Sequence, residues 1–454
     1  MSFRNLKSVL LACSGAAVLL AATTAANAGG LALREQSAYG QGSSFAGVAA
    51  GGALSSMFWN PATITQMPGI QFESVLSGIM PNASHTATTA TLGAIPGFTN
   101  TVSDSGKDAL VPSGYFSYQV NQQLWLGLSV NAPFGLSVGF PDNFSGRSYA
   151  ADSSLKTYNF APTIAYAFNN WISVGFGVQI QYGKADYSNG IPTNAAGVVT
   201  GGLGNQLNIS GDGWGYGFTA GLTLTPTPTT TIGLGYRSAI NQKISGTLAM
   251  PAGGGVFAAP FSTPGAVNTT LNLPDMVSVG LRQKIGAQWT LLGTFEWTNW
   301  SRIGTAAIMQ ANGLPATALG TAINLPFQYS NGTFYSLGVE YQWNQALALR
   351  GGIGFEKSPI TDSVRTPRLP DNDRTWLSVG ASYQITPKLG LDLAYSHLFV
   401  KNTPINLGPG TGNPWSTGIV YAGSVSSSVD IVSVGLKYRW DDPVVVSKTK
   451  LITK

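Results

Sequence analysis

The chain has one cysteine and two histidines in 454 residues, and only 9% of its residues are charged. Cys13 falls within the first 28 residues, which read as a leader, so the mature chain carries no thiol and no disulfide framework. No phosphate loop, metal-spaced cysteines or dinucleotide fingerprint is present. A large soluble protein carries about a quarter charged residues, far above this one. The formal net charge of +5 includes Arg4 and Lys7 of the leader, which leaves about +3 scattered along the mature chain, with no basic stripe for nucleic acid. Beyond residue 28 there is also no apolar run approaching the roughly 20 residues that a membrane helix needs.

The leader explains part of this pattern. Arg4 and Lys7 open it, residues 8–22 are mostly apolar, and Ala26-Asn27-Ala28 fits the small-x-small cleavage rule. Its apolar core is too short and too alanine-rich to act as an anchor. Lipoprotein processing at Leu10-Leu11-Ala12-Cys13 is disfavoured, because the apolar core left before it is only a few residues long. An exported chain without cysteine must be held by backbone pairing and packing. Closing a sheet into a barrel supplies that, since no strand edge remains.

What the chain does have is period two. Ile172, Val174, Phe176, Val178, Ile180 and Tyr182 alternate with Ser173, Gly175, Gly177, Gln179 and Gln181. The pattern recurs at Trp214, Tyr216, Phe218, Ala220, Leu222 and Leu224, and at Leu389, Leu391, Leu393, Tyr395, His397 and Phe399. Each stretch has one face suited to lipid and one that tolerates water. Fourteen strands are predicted near 70–82, 111–121, 123–138, 155–168, 171–187, 213–225, 229–247, 268–286, 288–303, 331–343, 346–357, 374–386, 388–401 and 425–440. Tight turns at Asn121-Gln122, Asn169-Asn170, Thr225 to Thr229, Gly286-Ala287, Asn344-Gln345 and Thr386-Pro387 alternate with long links at 83–110, 188–212, 248–267, 304–330 and 402–424.

Strict alternation of short and long connections is the grammar of an up-and-down transmembrane barrel with both ends on the periplasmic side. The expected fold is therefore all-β: a transmembrane 14-stranded antiparallel β-barrel over 69–440. Residues 29–68 lack strand periodicity, but Leu31, Leu33, Tyr39, Phe45, Met57, Phe58 and Trp59 give them enough apolar groups to fold, so they read as a lumenal plug. The polar tail 441–454 is expected in the periplasm. Trp125, Trp171, Trp289, Trp297, Trp300, Trp343, Trp376 and Trp440 lie near strand ends and are read as an interfacial girdle.

Ala53-Leu54-Ser55-Ser56-Met57-Phe58-Trp59-Asn60-Pro61-Ala62, about thirty residues past the cleavage site, resembles the hatch of the outer-membrane long-chain fatty acid transporter family (FadL and TodX type). Leu273-Pro274-Asp275-Met276, Glu296-Trp297-Thr298-Asn299-Trp300-Ser301 and Leu369-Pro370-Asp371-Asn372-Asp373-Arg374 extend that resemblance over nearly the whole mature chain. It implies a plugged 14-stranded barrel that takes up hydrophobic molecules: capture in an extracellular groove, an internal pocket, then sideways exit. The implied exit is an inward kink of the third strand beside the Asn60-Pro61-Ala62 hatch motif. The third strand carries a candidate of its own, since Leu124, Leu126, Leu128 and Val130 are followed by Asn131-Ala132-Pro133-Phe134-Gly135. Proline cannot donate to a neighbouring strand, and glycine beside it permits a bend, so this run is either a tolerated bulge or the opening itself.

Long-chain fatty acids stand slightly ahead of uncharged aromatic or aliphatic hydrocarbons as the expected substrate. The resemblance places basic ligand contacts near Ser188 and Leu325, neither of which is basic, and this weighs toward a hydrocarbon. Lys184, Arg237 and Arg302 are the candidates to substitute, and Phe45, Phe58 and Trp59 could line an apolar path. Asp371, Asp373, Arg365, Arg368 and Arg374 read as an architectural ion-pair cluster rather than a calcium site. A lipase would have to use His85, in a predicted loop, or His397, on an apolar strand face. A general diffusion porin would want a charged lumen. No cofactor, metal or catalytic residue is expected. The expected partners are a hydrophobic ligand, outer-membrane lipid, lipopolysaccharide and the barrel assembly machinery of a Gram-negative bacterium, with the chain acting as a monomer.

Overall fold

Runs with period-two alternation pair into one closed wall in the computed structural model, which describes residues 30–191, 206–249, 265–314 and 323–441. The leader at 1–28, and the tail beyond Asp441, lie outside the described residues. The wall is a closed antiparallel barrel of fourteen strands, numbered here in chain order. They are β1 (Ile70–Ala90), β2 (Ala109–Gln119), β3 (Leu124–Asn131 and Gly135–Val138), β4 (Ser153–Ala167), β5 (Ile172–Gly190), β6 (Gln206–Thr227) and β7 (Thr230–Arg237 and Ile240–Ala249). β8 (Gly265–Leu273 and Met276–Ile285), β9 (Trp289–Thr298), β10 (Gly332–Gln342), β11 (Leu347–Lys357), β12 (Arg374–Gln384), β13 (Leu389–Val400) and β14 (Tyr421–Arg439) complete it. β1 pairs with β14 from Gln71↔Arg439 to Ala90↔Tyr421, which closes the wall. No described helix is long and apolar enough to cross a membrane.

Three of the short turns share one device. Asn121 Oδ1 accepts from the backbone N–H groups of Gln123 and Leu124, Asn169 Oδ1 from Trp171 and Ile172, and Asn344 Oδ1 from Ala346 and Leu347. An asparagine side chain that imitates a backbone turn is why these links can be so short. All lie at one end of the barrel, with the long connections at the other. The barrel rule makes the first end periplasmic and the second extracellular.

Alternation sets the faces. On β5, Phe176 is 47% exposed on the outside, while Gln179 and Gln181 are buried within. Trp171, Trp289 and Trp343 are exposed near the short turns, as a girdle requires. Trp125, Trp300 and Trp376 are not part of it. All three are buried against the inside, and Trp376 is 0% exposed. Nearness to a strand end fixes a residue's depth, but parity fixes its face. Trp125 and Trp376 fall on the inward parity, each next to an outward leucine (Leu126 and Leu377).

Residues 31–66 pack against the inward face of this wall as four short helical turns, Ala38–Gln41, Val48–Ala50, Leu54–Phe58 and Pro61–Gln66, nearly all buried. Their backbone lies directly on inward glycines. A Cβ added at Gly233 would fall 1.7 Å from the carbonyl oxygen of Ala49, and one at Gly235 would fall 1.8 Å from that of Trp59. Any larger residue there would push the segment off the wall.

Candidate ligand path

The wall has a break where the third strand meets proline. β2 and β3 pair only from Gly114↔Val130 down to Gln119↔Trp125. Above that row, Gly135–Val138 pairs with β4 but not with β2. The two sides meet again at the Gly106↔Val138 bridge and through the Gly139 N–H, which donates to Ser105 O at 3.2 Å. Pro133 lies in this interval and supplies no donor, so the ladder could not run through it.

The N-terminal segment fills the interval as a short strand. Leu33 N–H donates to Pro133 O at 2.9 Å, Gly135 N–H donates to Leu31 O at 2.8 Å, and Ala32 bridges Phe134 in antiparallel fashion. Gln36 fastens the lower edge: its Nε2 donates to Ala132 O at 2.8 Å, and its Oε1 accepts from Ser113 Oγ at 2.8 Å. Arg34 fastens the inner side, 2.8 Å from Glu296 and with its guanidinium carbon 3.8 Å from the Phe334 ring centroid. Gly30 N–H donates to Asp371 Oδ2 at 3.0 Å, so part of the arginine–aspartate cluster holds the start of this strand. Arg374 pairs with Asp371 and Arg365 with Asp362, as an ion-pair cluster should. Arg368 has no carboxylate partner among the described residues.

Two cavities meet at this strand. The inner one is lined by Leu33, Phe58, Trp59, Pro133, Phe134, Arg237, Trp300 and Phe334. The upper one, toward the long loops, is lined by Leu31, Leu136, Leu155, Ile244, Leu271, Leu325, Phe327 and Arg368, and is far more apolar. Phe58, Trp59 and Arg237 thus fall together beside the kink. Arg237 donates to Phe58 O at 3.0 Å and to Gln179 Oε1, and it covers the Phe58 ring at 4.1 Å. Phe45 lines neither cavity but supports Trp59 from behind, with ring centroids 5.7 Å apart. Ser44 and Phe45 both have positive φ, a costly backbone for such residues that the surrounding packing sustains.

Lys184 and Arg302 lie elsewhere. Lys184 is exposed on the outward face of β5, and Arg302 is partly exposed and pairs with Asp275 at 3.2 Å. Neither lines either of these two cavities. Leu325 does line the upper cavity, and Ser188 O receives a hydrogen bond from Arg368 at 2.9 Å.

Asn60-Pro61-Ala62 is a docking joint on β5 and β6, two to three strands round the wall from the kink. Asn60 is buried; its Oδ1 accepts from Ala62 N–H at 3.0 Å, while Nδ2 donates to Ala49 O at 2.7 Å and to Leu222 O on β6 at 3.0 Å. Pro61 takes the first position of its helical turn, where its missing N–H costs nothing. The residues against the kink are instead 31–33 and Gln36. Nothing in the sequence marks three extended residues as a strand, because a stretch so short has no visible alternation.

Below the segment, toward the short turns, the lumen is charged. Arg282 and Arg350 lie 3.3 and 3.1 Å from Glu340, Lys437 lies 2.9 Å from Asp392, and Tyr39 donates to Glu340 at 2.6 Å. Higher in the segment, Glu35 is buried with no hydrogen-bond partner for its Oε2. Burial pushes its carboxyl up to about 7.

The comparisons with known proteins agree with this architecture. The family model described as outer membrane protein transport protein (OMPP1/FadL/TodX) matches residues 19–440. Outer membrane protein P1 of Haemophilus influenzae is 28% identical, over 84% of this chain and 88% of its own. The long-chain fatty acid transport protein of Escherichia coli K12 is 25% identical, over 87% and 92%. Of solved structures, a Pseudomonas aeruginosa FadL homologue superposes with a TM-score of 0.79 at 21% identity, covering 91% of this chain and 100% of that one. The Pseudomonas putida toluene transporter TodX superposes with a TM-score of 0.65 at 17% identity, covering 90% and 99%. A closed fourteen-stranded wall, an N-terminal segment folded against its inside and a family match along almost the whole sequence lead to one conclusion: the chain is an outer-membrane protein and belongs to the OMPP1/FadL/TodX transport family.

Proposed function

We propose that the protein imports hydrophobic compounds passively, long-chain fatty acids first among them, and releases them sideways through the break in β3. The observation that carries this reading is the character of the seal. The wall has a second irregular stretch between β6 and β7, where pairing lapses between Asp212↔Ser245 and Thr219↔Arg237. There the backbone groups are taken up by fixed wall side chains: Gln179 Nε2 donates to Phe218 O and Gln242 Nε2 to Gly213 O, while Gln181 Nε2 holds Gln242 by donating to its Oε1. The break at β3 is filled by residues 31–33, a segment that can move without unfolding the wall.

Physical cost favours the sideways route. A molecule descending through the lumen would pass the charged chamber around Glu340 and Arg350 and would then face water, at about 25 cal/mol per Å² of apolar surface. Leaving between β2 and β3 keeps it in an apolar phase. The ligand moves down its own gradient, so hatch movement need only change its affinity for the cavities. The Escherichia coli relative is named for long-chain fatty acids, which points to that substrate. The very apolar upper cavity favours the second reading, an uncharged hydrocarbon. In this account the leader 1–28 is removed on export, the barrel assembly machinery inserts the wall among lipopolysaccharide, and one chain suffices because a closed barrel has no free edge.

Replacing Pro133 and Gly135 together by valine tests the exit. A folded, heat-modifiable barrel that no longer supports uptake of fatty acid or hydrocarbon is the expected result. Undiminished uptake by that variant would place the exit elsewhere.

A further inference from the structure

The outward face of β4 to β7 turns from apolar to basic at one height. Lys156 on β4 and Lys184 on β5 both have the outward parity, and they stand directly opposite each other in the strand register. Lys243 lies on the same face of β7. Its carbonyl oxygen would fall 2.1 Å from a Cβ at Gly213 of β6, the residue opposite Gly183 of β5. Just below, Tyr158, Tyr182 and Trp214 form a row, with successive ring centroids 6.5 and 5.3 Å apart. Under that row the face is apolar, with Ile164, Phe176, Val178 and Phe218 exposed.

Depth identifies what surrounds the lysines. Lys184 stands twelve residues above Ile172, where β5 begins beside the girdle residue Trp171. At about 3.3 Å per residue and a tilt of about 40°, that is a height of roughly 30 Å, past the ~25 Å apolar band of such a barrel. The aromatic row is the upper girdle, and the lysines are level with the headgroups of the outer leaflet.

Like charges directly opposite on one sheet face repel each other. Lys107 and Lys437 have carboxylate partners, whereas among the described residues Lys156, Lys184 and Lys243 have none. The acids of this face are engaged otherwise: Asp186 accepts from Ser210 Oγ at 2.6 Å, and Asp212 accepts from the Tyr182 hydroxyl. The adjoining loops outside the described residues, 192–205 and 250–264, contain no aspartate or glutamate. An anion bound from the leaflet would relieve the repulsion. The lipid of an outer leaflet built from lipopolysaccharide has a disaccharide with a phosphate at each end and several acyl chains. From Lys156 to Lys243 is three strand spacings, about 14 Å, which such a headgroup covers.

We propose that Lys156, Lys184 and Lys243 form a docking site for the phosphorylated disaccharide of lipopolysaccharide, whose acyl chains lie down the outer face of β4 to β6. The site rests on the outer-membrane location and not on the import reading. It borders the break, since Gly135 of β3 is in register with Lys156. A molecule released there enters the leaflet beside a lipid that the wall itself holds.

The test uses the full mature chain, purified free of lipopolysaccharide, with dissociation constants for lipid A and for the same lipid stripped of its phosphates. The wild type is expected to favour the phosphorylated form by roughly tenfold or more, from two or three lysines at an anionic surface. Lys156→Gln with Lys184→Gln should lose that preference, with binding of the stripped lipid unchanged. Lys401→Gln, at an exposed lysine past the end of β13, should keep it. Millimolar inorganic phosphate should not displace lipid A. Equal binding of both lipids by the wild type, or a preference retained by the double variant, overturns the site. Displacement by inorganic phosphate overturns its assignment to the lipid. Should the double variant not fold, a structure of the wild type with lipid A decides: a phosphate within hydrogen-bond reach of both Lys156 and Lys184 supports the site, and phosphates elsewhere overturn it. The import reading is judged separately, by uptake.

Discussion

Asn60 and Glu35 show how single residues set the hold of the N-terminal segment on the wall. Asn60 stitches two turns of the segment to β6 through a fully buried amide. Asn60→Ala leaves the carbonyls of Ala49 and Leu222 without that donor, a loss of about 1–3 kcal/mol for a buried polar group. Hydrogen exchange in residues 48–62 should accelerate while the wall strands keep their protection. Glu35 works in the opposite sense. Its carboxyl is raised to about 7 in the fold and returns to about 4.3 when exposed, so between those values the docked segment holds a proton that the released one does not. Docking is therefore strongest below about pH 4.3 and weakens as pH rises through 7, by at least ~1 kcal/mol. Protection of residues 31–41 should be lower at pH 8 than at pH 5.5, and Glu35→Gln should remove the difference.

At the scale of elements, the functional arrangement is a strand that belongs to the wall by hydrogen bonding and to the segment by sequence. Leu33→Pro deletes the donor to Pro133 O, and Ala32 then loses its register with Phe134. Faster uptake is expected, with no loss of heat-modifiability. The break itself was legible in the sequence, because Asn131-Ala132-Pro133-Phe134-Gly135 interrupts an alternating run and proline cannot pair there. The fourteen strands were legible too, since Asn121, Asn169 and Asn344 close turns by a local mechanism. What fills the break was not legible. Residues 31–33 meet it across a hundred positions of sequence, and long-range pairing of three residues leaves no periodic trace. Asn60-Pro61-Ala62 docks two to three strands from the kink, a separation that only strand pairing sets, and the inward parity of Trp125 and Trp376 takes them out of the girdle. Arg368 read as one more member of an ion-pair cluster because only the fold distinguishes which arginine has an acid.

At the scale of the molecule, low charge and abundant glycine (57 residues) have one explanation. The outside faces lipid, where charge is costly, and inward glycines such as Gly233 and Gly235 let a packed segment lie flat on the wall. A lumen filled in this way predicts no large steady ion current in planar bilayers, whereas an open porin would conduct. The central claim is that the strand at 31–33 must leave the β3 break for a molecule to pass. Ala32 and Phe134 face each other in a non-hydrogen-bonded antiparallel pair, the geometry in which Cα atoms lie about 4.5 Å apart and a disulfide fits. On the proposed removal of the leader that holds Cys13, Ala32→Cys with Phe134→Cys gives a mature chain holding only that pair. Fatty acid uptake by cells carrying this variant should stop under oxidising conditions and return on reduction. Equal uptake in the oxidised and reduced states would contradict the account.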